Sequence, residues 1–374
     1  VSALETKGRA AGVYFTADVL LSTYFPPIKW AVHGLISEGL VVVAGPQKVG
    51  KSSLILGVCA AVAEGGKALG RVDVEAGDVL YAALEDSPRR LKHRLGQVLN
   101  GRPAPARLTI VTALPSMPQA TELVSEWLDE HPDARLVVID VLAKVRPMSA
   151  PGVDRYEADY RILSELKRLA DHHRVAVVVV THTRKLGAED VFDTVSGSVG
   201  LTAAADSTIV LRRARNETAG SLSITGRDVP ECEYAVQFDG DRSTWTLDGH
   251  ELADAARKAA EVRATAGLGD RSSEIVAHVN AHPDGVRAVD VERDLEIPDA
   301  RRYLARLADA GRIEKAGRGL YKGCVPTIPS VPLPLTDGTD GIVGTLLCTG
   351  CGEPLDPWLT DQDATAHVGC AVTS

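Results

Sequence analysis

Residues 41–53 read VVVAGPQKVGKSS, and this stretch constrains the chain more than any other. The apolar run Val41–Ala44 has the pattern of a strand buried on both faces. The next eight residues, Gly45, Pro46, Gln47, Lys48, Val49, Gly50, Lys51 and Ser52, match Gly-x4-Gly-Lys-Ser/Thr, and an apolar helix opens from Ser52 and Ser53. The glycines let the backbone curl so that several N–H groups converge on a polyphosphate. The helix that follows presents its N-terminus to the same charge. Lys51 can reach β- and γ-phosphates, and the Ser52 hydroxyl can hold Mg2+. The expected ligand is therefore MgATP, bound by residues 45–53.

A chain of 374 residues with 45% hydrophobic content can bury a large core and hold two or more domains. The formal charge of −9 supplies no global attraction for nucleic acid, so any such contact must come from local patches. No apolar run approaches a membrane span, the first residues lack a signal-peptide pattern, and the six cysteines are unevenly spread. These features point to a cytoplasmic chain without a membrane partner. Cys59, Cys232 and Cys324 read as structural.

Further chemistry falls at the ends of apolar runs. Residues 79–84, Val-Leu-Tyr-Ala-Ala-Leu, form a second expected strand and end in Glu85-Asp86. A carboxylate at the mouth of an open α/β sheet can orient or deprotonate an attacking water, and Glu85 is preferred over Asp86. Residues 135–140, Arg-Leu-Val-Val-Ile-Asp, form the Walker B pattern, in which Asp140 binds Mg2+ directly or through water. The run Val175–Val180 ends in Thr181-His182-Thr183, which places His182 to sense a γ-phosphate. Residues 207–211 form a further strand, and Arg212 and Arg213 beyond it can reach a neighbouring subunit's γ-phosphate. An antiparallel meander is expected over 222–225, 234–238 and 244–247. Trp30 can cover an adenine or simply pack.

The series GPQKVGKS, LYAALED, LVVID, VVVVTHTRK and SGSVGLTAAADSTIVLRR resembles the RecA-like ATPase core, and most nearly the RepA-type replicative helicases of plasmids and phages. DnaB-type helicases and KaiC are more distant. The resemblance covers about residues 25–247 and implies an α/β P-loop NTPase core with a mainly parallel sheet. It also implies a ring, usually a hexamer, with nucleotide at the subunit interfaces. In that family Lys51, Ser52 and Asp140 would bind MgATP, Glu85 would activate water, and His182 would act as a switch. Arg213, or Arg212 in its place, would be the finger completing a neighbour's site. Loops 144–159 and 184–199, with Lys144, Arg146, Arg184 and Lys185, would grip single-stranded DNA. Replication-initiation or primase partners follow from the same resemblance.

The remaining chain divides by composition. Residues 1–24 are a lead-in, 25–248 the ATPase domain, and 249–270 a charged, Ala-rich helical linker. Residues 271–323 resemble a winged helix-turn-helix module, with helices expected near 275–280, 286–291 and 298–311 and a two-stranded wing over 311–322. Arg301, Arg302 and Arg306 lie on its third helix, facing either DNA or a protein partner. A Pro-rich linker, 324–344, precedes a tail over 345–374. There Cys348, Cys351, His367 and Cys370 have the spacing of a four-ligand zinc knuckle, whose structural Zn2+ would stabilise a segment with little core of its own. Two functions fit the whole: an ATP-driven helicase or translocase, or a non-translocating ATPase switch that recruits or regulates other proteins. A small-molecule kinase is disfavoured, because no acceptor pocket or lid signature is evident.

Overall fold

The computed structural model describes residues 16–147, 155–183, 191–195, 203–266 and 268–323. Its centre is a nine-stranded sheet. In chain order the strands are β1 (Gly39–Ala44), β2 (Asp78–Ala83), β3 (Leu108–Val111), β4 (Ala134–Asp140), β5 (Ala176–Val180), β6 (Ser207–Arg213), β7 (Ala219–Gly226), β8 (Cys232–Asp239) and β9 (Thr244–Leu247). Their order across the sheet is β9-β8-β7-β6-β1-β5-β4-β2-β3. Strands β1 to β6 are mutually parallel, whereas β7, β8 and β9 add as an antiparallel meander. The α/β class, the mainly parallel sheet and the closing meander are those expected from the sequence.

Helices cover both faces, which is why the parallel strands read as unbroken apolar runs instead of alternating ones. Val41 and Val43 of β1 point into a cluster with Leu54, Ile55 and Val58 of helix Lys51–Glu64. Leu40, Val137, Ile139, Val177 and Val179 point the other way, toward Leu163 and Leu166 of helix Arg155–His173. That helix begins at Arg155, so the loop expected over 144–159 ends in its first turn. Two further elements escape the sequence reading, strand β3 and helix Gln119–Glu130. Trp30 packs, partly buried, against the main cluster, in agreement with the packing alternative.

The strand order matters for chemistry. Because β1, β2, β4, β5 and β6 run parallel, their C-terminal ends emerge along one edge. The residues following them are Gly45, Leu84 (with Glu85 next), Val141, Thr181 and Ala214, so the sequence motifs are brought to a common mouth.

Helix Leu252–Thr265 packs on the ATPase-side core through Ala255 and Ala256, and Ala264 near its end touches the following module's core. The segment expected as a helical linker is thus a packed element at both ends. Beyond it, helices Asp270–Asn280, Ala288–Leu295 and Ala300–Asp309 enclose a core with the strands Val286–Arg287, Ile313–Gly317 and Leu320–Gly323. Val286 and Arg287, expected to open a helix, instead pair with Tyr321 and Leu320, and the helix starts at Ala288. No helix among the described residues is long and apolar enough to cross a membrane.

Candidate active site

The loop between β1 and helix Lys51–Glu64 is held by its neighbours. A Cβ on Gly45 would lie 2.6 Å from the Leu211 carbonyl oxygen, so the residue must be glycine for β6 to pass. Gly50 has φ +106°, a left-handed conformation that an L side chain rarely adopts. The Trp245 indole N–H donates to the Gly50 carbonyl at 3.0 Å and fixes that turn from β9.

Lys51 is only 5% exposed. Its Nζ donates to the carbonyls of Gly45 at 2.8 Å and Pro46 at 2.9 Å and lies 3.1 Å from His182 Nδ1. A lysine ammonium is donor-only, so His182 accepts there with an unprotonated Nδ1. Burial lowers the Lys51 pKa to about 8, against the opposing pull of Asp140 and Glu85. Burial, then the Lys51 charge, also holds His182 below its ordinary value.

Asp140 is 3% exposed and ends β4. The buried Tyr81 hydroxyl donates to its Oδ2 at 3.0 Å. Its Oδ1 is buried without a hydrogen-bond partner. Burial raises the Asp140 pKa, opposed by the Ser52 and Tyr81 hydroxyls. An orphaned buried carboxylate oxygen beside a serine hydroxyl is a hard-oxygen donor set suited to Mg2+, so the residues fit that ion.

The two adjacent carboxylates behind β2 have different surroundings. Asp86 is gripped by Arg94 and lies 3.6 Å from Arg90. The Glu85 side chain is exposed and has no hydrogen bond or ion pair among the described residues. Its charge is felt at Lys51, Asp140 and His182. Of the two carboxylates, Glu85 is the one left unpaired among the described residues, and Asp86 is held by arginines.

The two arginines expected beyond β6 lie within it, so strand alternation separates them. Arg213 shares a face with Ile209 and Leu211. Its Nη1 donates to Glu217 O at 2.8 Å, and its guanidinium sits 4.5 Å from the Phe238 ring centre and 5.7 Å from that of Trp245. It also lines the cleft beside Pro46, Gln47, Lys48 and His182 of its own chain. Arg212, on the opposite face, is exposed and unpaired among the described residues. Sequence reasoning ranked Arg213 first as a finger, but Arg213 is anchored inside its own chain and Arg212 is the free one.

The expected DNA contacts also divide. Lys144 is exposed on a short 3-10 turn. Arg146 is committed to an ion pair with Asp159, which is 1% exposed, with Nη2 donating to Oδ2 at 3.0 Å. Arg301 and Arg302 are exposed, whereas Arg306 donates to the Ser272 hydroxyl at 3.1 Å and lies over Tyr303. Arg184, Lys185 and the expected zinc ligands Cys348, Cys351, His367 and Cys370 lie outside the described residues.

Sequence reasoning missed Tyr81, Trp245 and the Arg90 and Arg94 pair. Tyr81 carried a usable signal, since it lies two residues from the end of a buried strand whose edge bears acids.

Residues 12–188 match a family model described as an AAA domain. No curated protein matches the chain. Among solved structures, one described as an ATPase domain is 16% identical, with 57% of this chain and 85% of that one covered and a TM-score of 0.46. A DnaB-like replicative helicase, described with its interactions with primase, is 15% identical at the same TM-score of 0.46. The match covers 56% of this chain and 57% of that helicase's length.

Proposed function

We propose that the chain is an ATP-hydrolysing motor of the RepA helicase type. In this reading it assembles as a ring, nominally a hexamer, and acts on single-stranded DNA during replication of a plasmid, phage or integrated element. The observation that carries the reading is the convergence of Lys51, Asp140, Glu85 and His182 at one sheet edge, where the ionisation of Lys51, Asp140 and His182 is shifted by burial and by neighbouring charge or hydroxyls. The AAA-domain match over residues 12–188 supports the nucleotide-binding half of it. Initiation factors or a primase would be the partners of such a motor.

In the proposed reaction the phosphates lie along the 45–53 loop. Lys51 leaves its carbonyl partners for the β- and γ-phosphates, which strengthens its protonated form. Ser52 and Asp140 would hold Mg2+, which neutralises charge developing on the phosphate oxygens. Glu85 orients a water and accepts its proton as the oxygen attacks the γ-phosphorus, and the bond from that phosphorus to the β–γ bridging oxygen breaks to release ADP and phosphate. His182, freed from Lys51, donates toward the γ-phosphate or its leaving product, so its position reports on the nucleotide state. Residues 271–323 are read as a winged helix-turn-helix, supported by the order of three helices and three short strands. The tail is read as a zinc knuckle from its spacing alone; metal analysis of chelator-free protein that finds no zinc removes that part.

The deciding experiment is phosphate release with and without single-stranded DNA, followed by strand displacement. Stimulation with displacement supports the motor. ATPase activity without either supports the switch reading, which is favoured by Arg146 being tied to Asp159 instead of facing a channel. Absence of ATP hydrolysis rejects both.

A further inference from the structure

Strand pairing sets one buried hydroxyl against the carboxylate at the end of β4. Strands β2 and β4 are parallel neighbours, and Tyr81 is in register with Val138, two residues before Asp140. Val79, Tyr81 and Ala83 of β2 share a face with Leu136 and Val138 of β4, the face that packs on helix Lys51–Glu64. The same period of two puts Asp140 on that face. Ala83 stands directly opposite Asp140 and is small, so the Tyr81 ring can reach diagonally toward the carboxylate.

Tyr81 has no exposed surface and lies in an apolar cluster. Phenylalanine would fill that space at less cost, because a buried hydroxyl has to find a partner. The Tyr81 hydroxyl finds one in Asp140 Oδ2, at 3.0 Å. A phenol has one proton to give and an ionised carboxylate only accepts, so the direction of the bond is fixed. The carboxylate is thereby divided. Its Oδ2 is engaged, whereas its Oδ1 is buried with no hydrogen-bond partner.

We infer that Tyr81 is a positioning residue that makes Asp140 a one-oxygen partner of the metal and so favours Mg2+ over Ca2+. Held through Oδ2, the carboxylate does not turn to present both oxygens, and Oδ1 alone is offered to the cation or to a water that the cation carries. Mg2+ is small, demands short and near-octahedral contacts and keeps several waters, so one firmly aimed oxygen suits it. Ca2+ takes about six to eight oxygens at longer distances and gains from a carboxylate that binds through both. Groups that hydrogen-bond a metal-binding carboxylate orient it, and their loss weakens the metal. A tyrosine that only fills the core would alter stability on losing its hydroxyl, but not the choice between two cations. The inference rests on reading Ser52 and Asp140 as the Mg2+ residues. It is independent of DNA, of ring assembly and of the identity of the base.

The test is calorimetric titration of the full chain with a non-hydrolysable ATP analogue in excess EDTA, Mg2+ or Ca2+. The three affinities give the strengthening that each cation adds. Tyr81→Phe keeps the ring, and in EDTA it should bind the analogue as wild type does. The strengthening by Mg2+ should fall by about tenfold, the lower end for loss of a group that orients a metal ligand. The strengthening by Ca2+ should fall less or rise, so the preference for Mg2+ narrows. An equal fall for both cations, no fall for either, or a loss as large in EDTA as in Mg2+ overturns the inference. Should Tyr81→Phe fold poorly, Asp140→Asn/Tyr81→Phe leaves no buried charge without its hydroxyl and is compared with Asp140→Asn alone. The second substitution should then change neither cation's effect, and a metal effect there overturns the inference. A wild-type response to metal in Asp140→Asn overturns the Mg2+ reading and the inference with it. Loss of that response in Asp140→Asn, with a wild-type response in Tyr81→Phe, overturns the inference alone.

Discussion

The Lys51 ammonium lies 3.1 Å from Nδ1 of His182, across 131 residues of sequence, and both groups have lowered pKa values. In the free protein the phosphate-loop lysine is therefore occupied by loop carbonyls and by the side chain proposed to sense nucleotide. ATP must exchange these contacts for its own. Loading and sensing then become one event, since His182 cannot keep its partner while Lys51 holds phosphate.

The first prediction separates binding from turnover. Lys51→Ala should abolish tight ATP binding, because the β- and γ-phosphates lose their buried cation. Glu85→Gln should bind ATP and hydrolyse it about a hundredfold or more slowly, as expected for loss of a general base. Labelled-nucleotide binding and phosphate release measure the two steps. Because Asp86 is held by Arg94, Asp86→Asn should act on folding stability more than on turnover; a larger turnover defect in Asp86→Asn than in Glu85→Gln would exchange their roles.

A pH dependence follows from Lys51. Its pKa in the free protein is about 8, and bound polyphosphate stabilises the protonated form and raises it. Below pH 8 the lysine is charged before and after binding. Above it, binding must take up a proton, so affinity should fall as pH rises, by at most about tenfold per unit. Calorimetry in two buffers of different ionisation enthalpy should show proton uptake near pH 9 in the wild type and none from this source in Lys51→Arg. No uptake at that pH would mean that Lys51 is already fully charged when free.

Asp140 carries the opposite cost. Its folded pKa is raised above the unfolded value, so the native state binds protons more readily than the unfolded state does. The ionised form consequently destabilises the fold at neutral pH, and this cost diminishes as pH falls toward the folded pKa. Asp140→Asn keeps an acceptor for the Tyr81 hydroxyl and removes the buried charge. It should melt higher than wild type without nucleotide, each kcal/mol appearing as about 2–4 °C in a domain of this size. It should also lose Mg2+-dependent hydrolysis. A lower melting temperature at pH 7 would show that the Asp140 charge is stabilised by partners other than Tyr81 and Ser52.

The sequence made the core of this site legible because its chemistry is local. Gly45 to Ser52 encode their own turn, and Asp140 and Glu85 follow apolar runs whose parallel pairing brings their ends together. What it concealed depends on long-range contacts. Trp245 caps the Gly50 turn from 195 residues away, and nothing in the local pattern of β9 marks it as a loop support. Strand β3 is only half-buried throughout, so it lacked the apolar run that betrayed β1, β4 and β5. The Arg212 and Arg213 distinction was present as a period of two. Extending the alternation from Ile209 and Leu211 by one step puts Arg213 on the packed face. It was obscured by ending the strand at Leu211.

That distinction gives the last prediction. If the chain forms a ring with shared sites, a finger must leave its own chain and reach a neighbour's phosphate. Arg212 is free to do so. Arg213 is stacked against Phe238 and Trp245, and Trp245 in turn holds Gly50, so Arg213 supports the phosphate loop of its own chain. Arg212→Ala should therefore bind ATP almost normally and hydrolyse it about a thousandfold more slowly, as for other arginine fingers. Arg213→Ala should weaken ATP binding in its own subunit and lose about 0.5–1 kcal/mol of stability with its ring contacts. Mixing experiments discriminate the two. Arg212→Ala subunits keep a sound loop and Lys51→Ala subunits keep a sound finger, so a mixed ring contains whole composite sites and should regain activity. Arg213→Ala mixed with Lys51→Ala should regain little, because both changes damage the subunit that carries them. Recovery in the second mixture and none in the first, with both sets still assembling, would return the finger to Arg213.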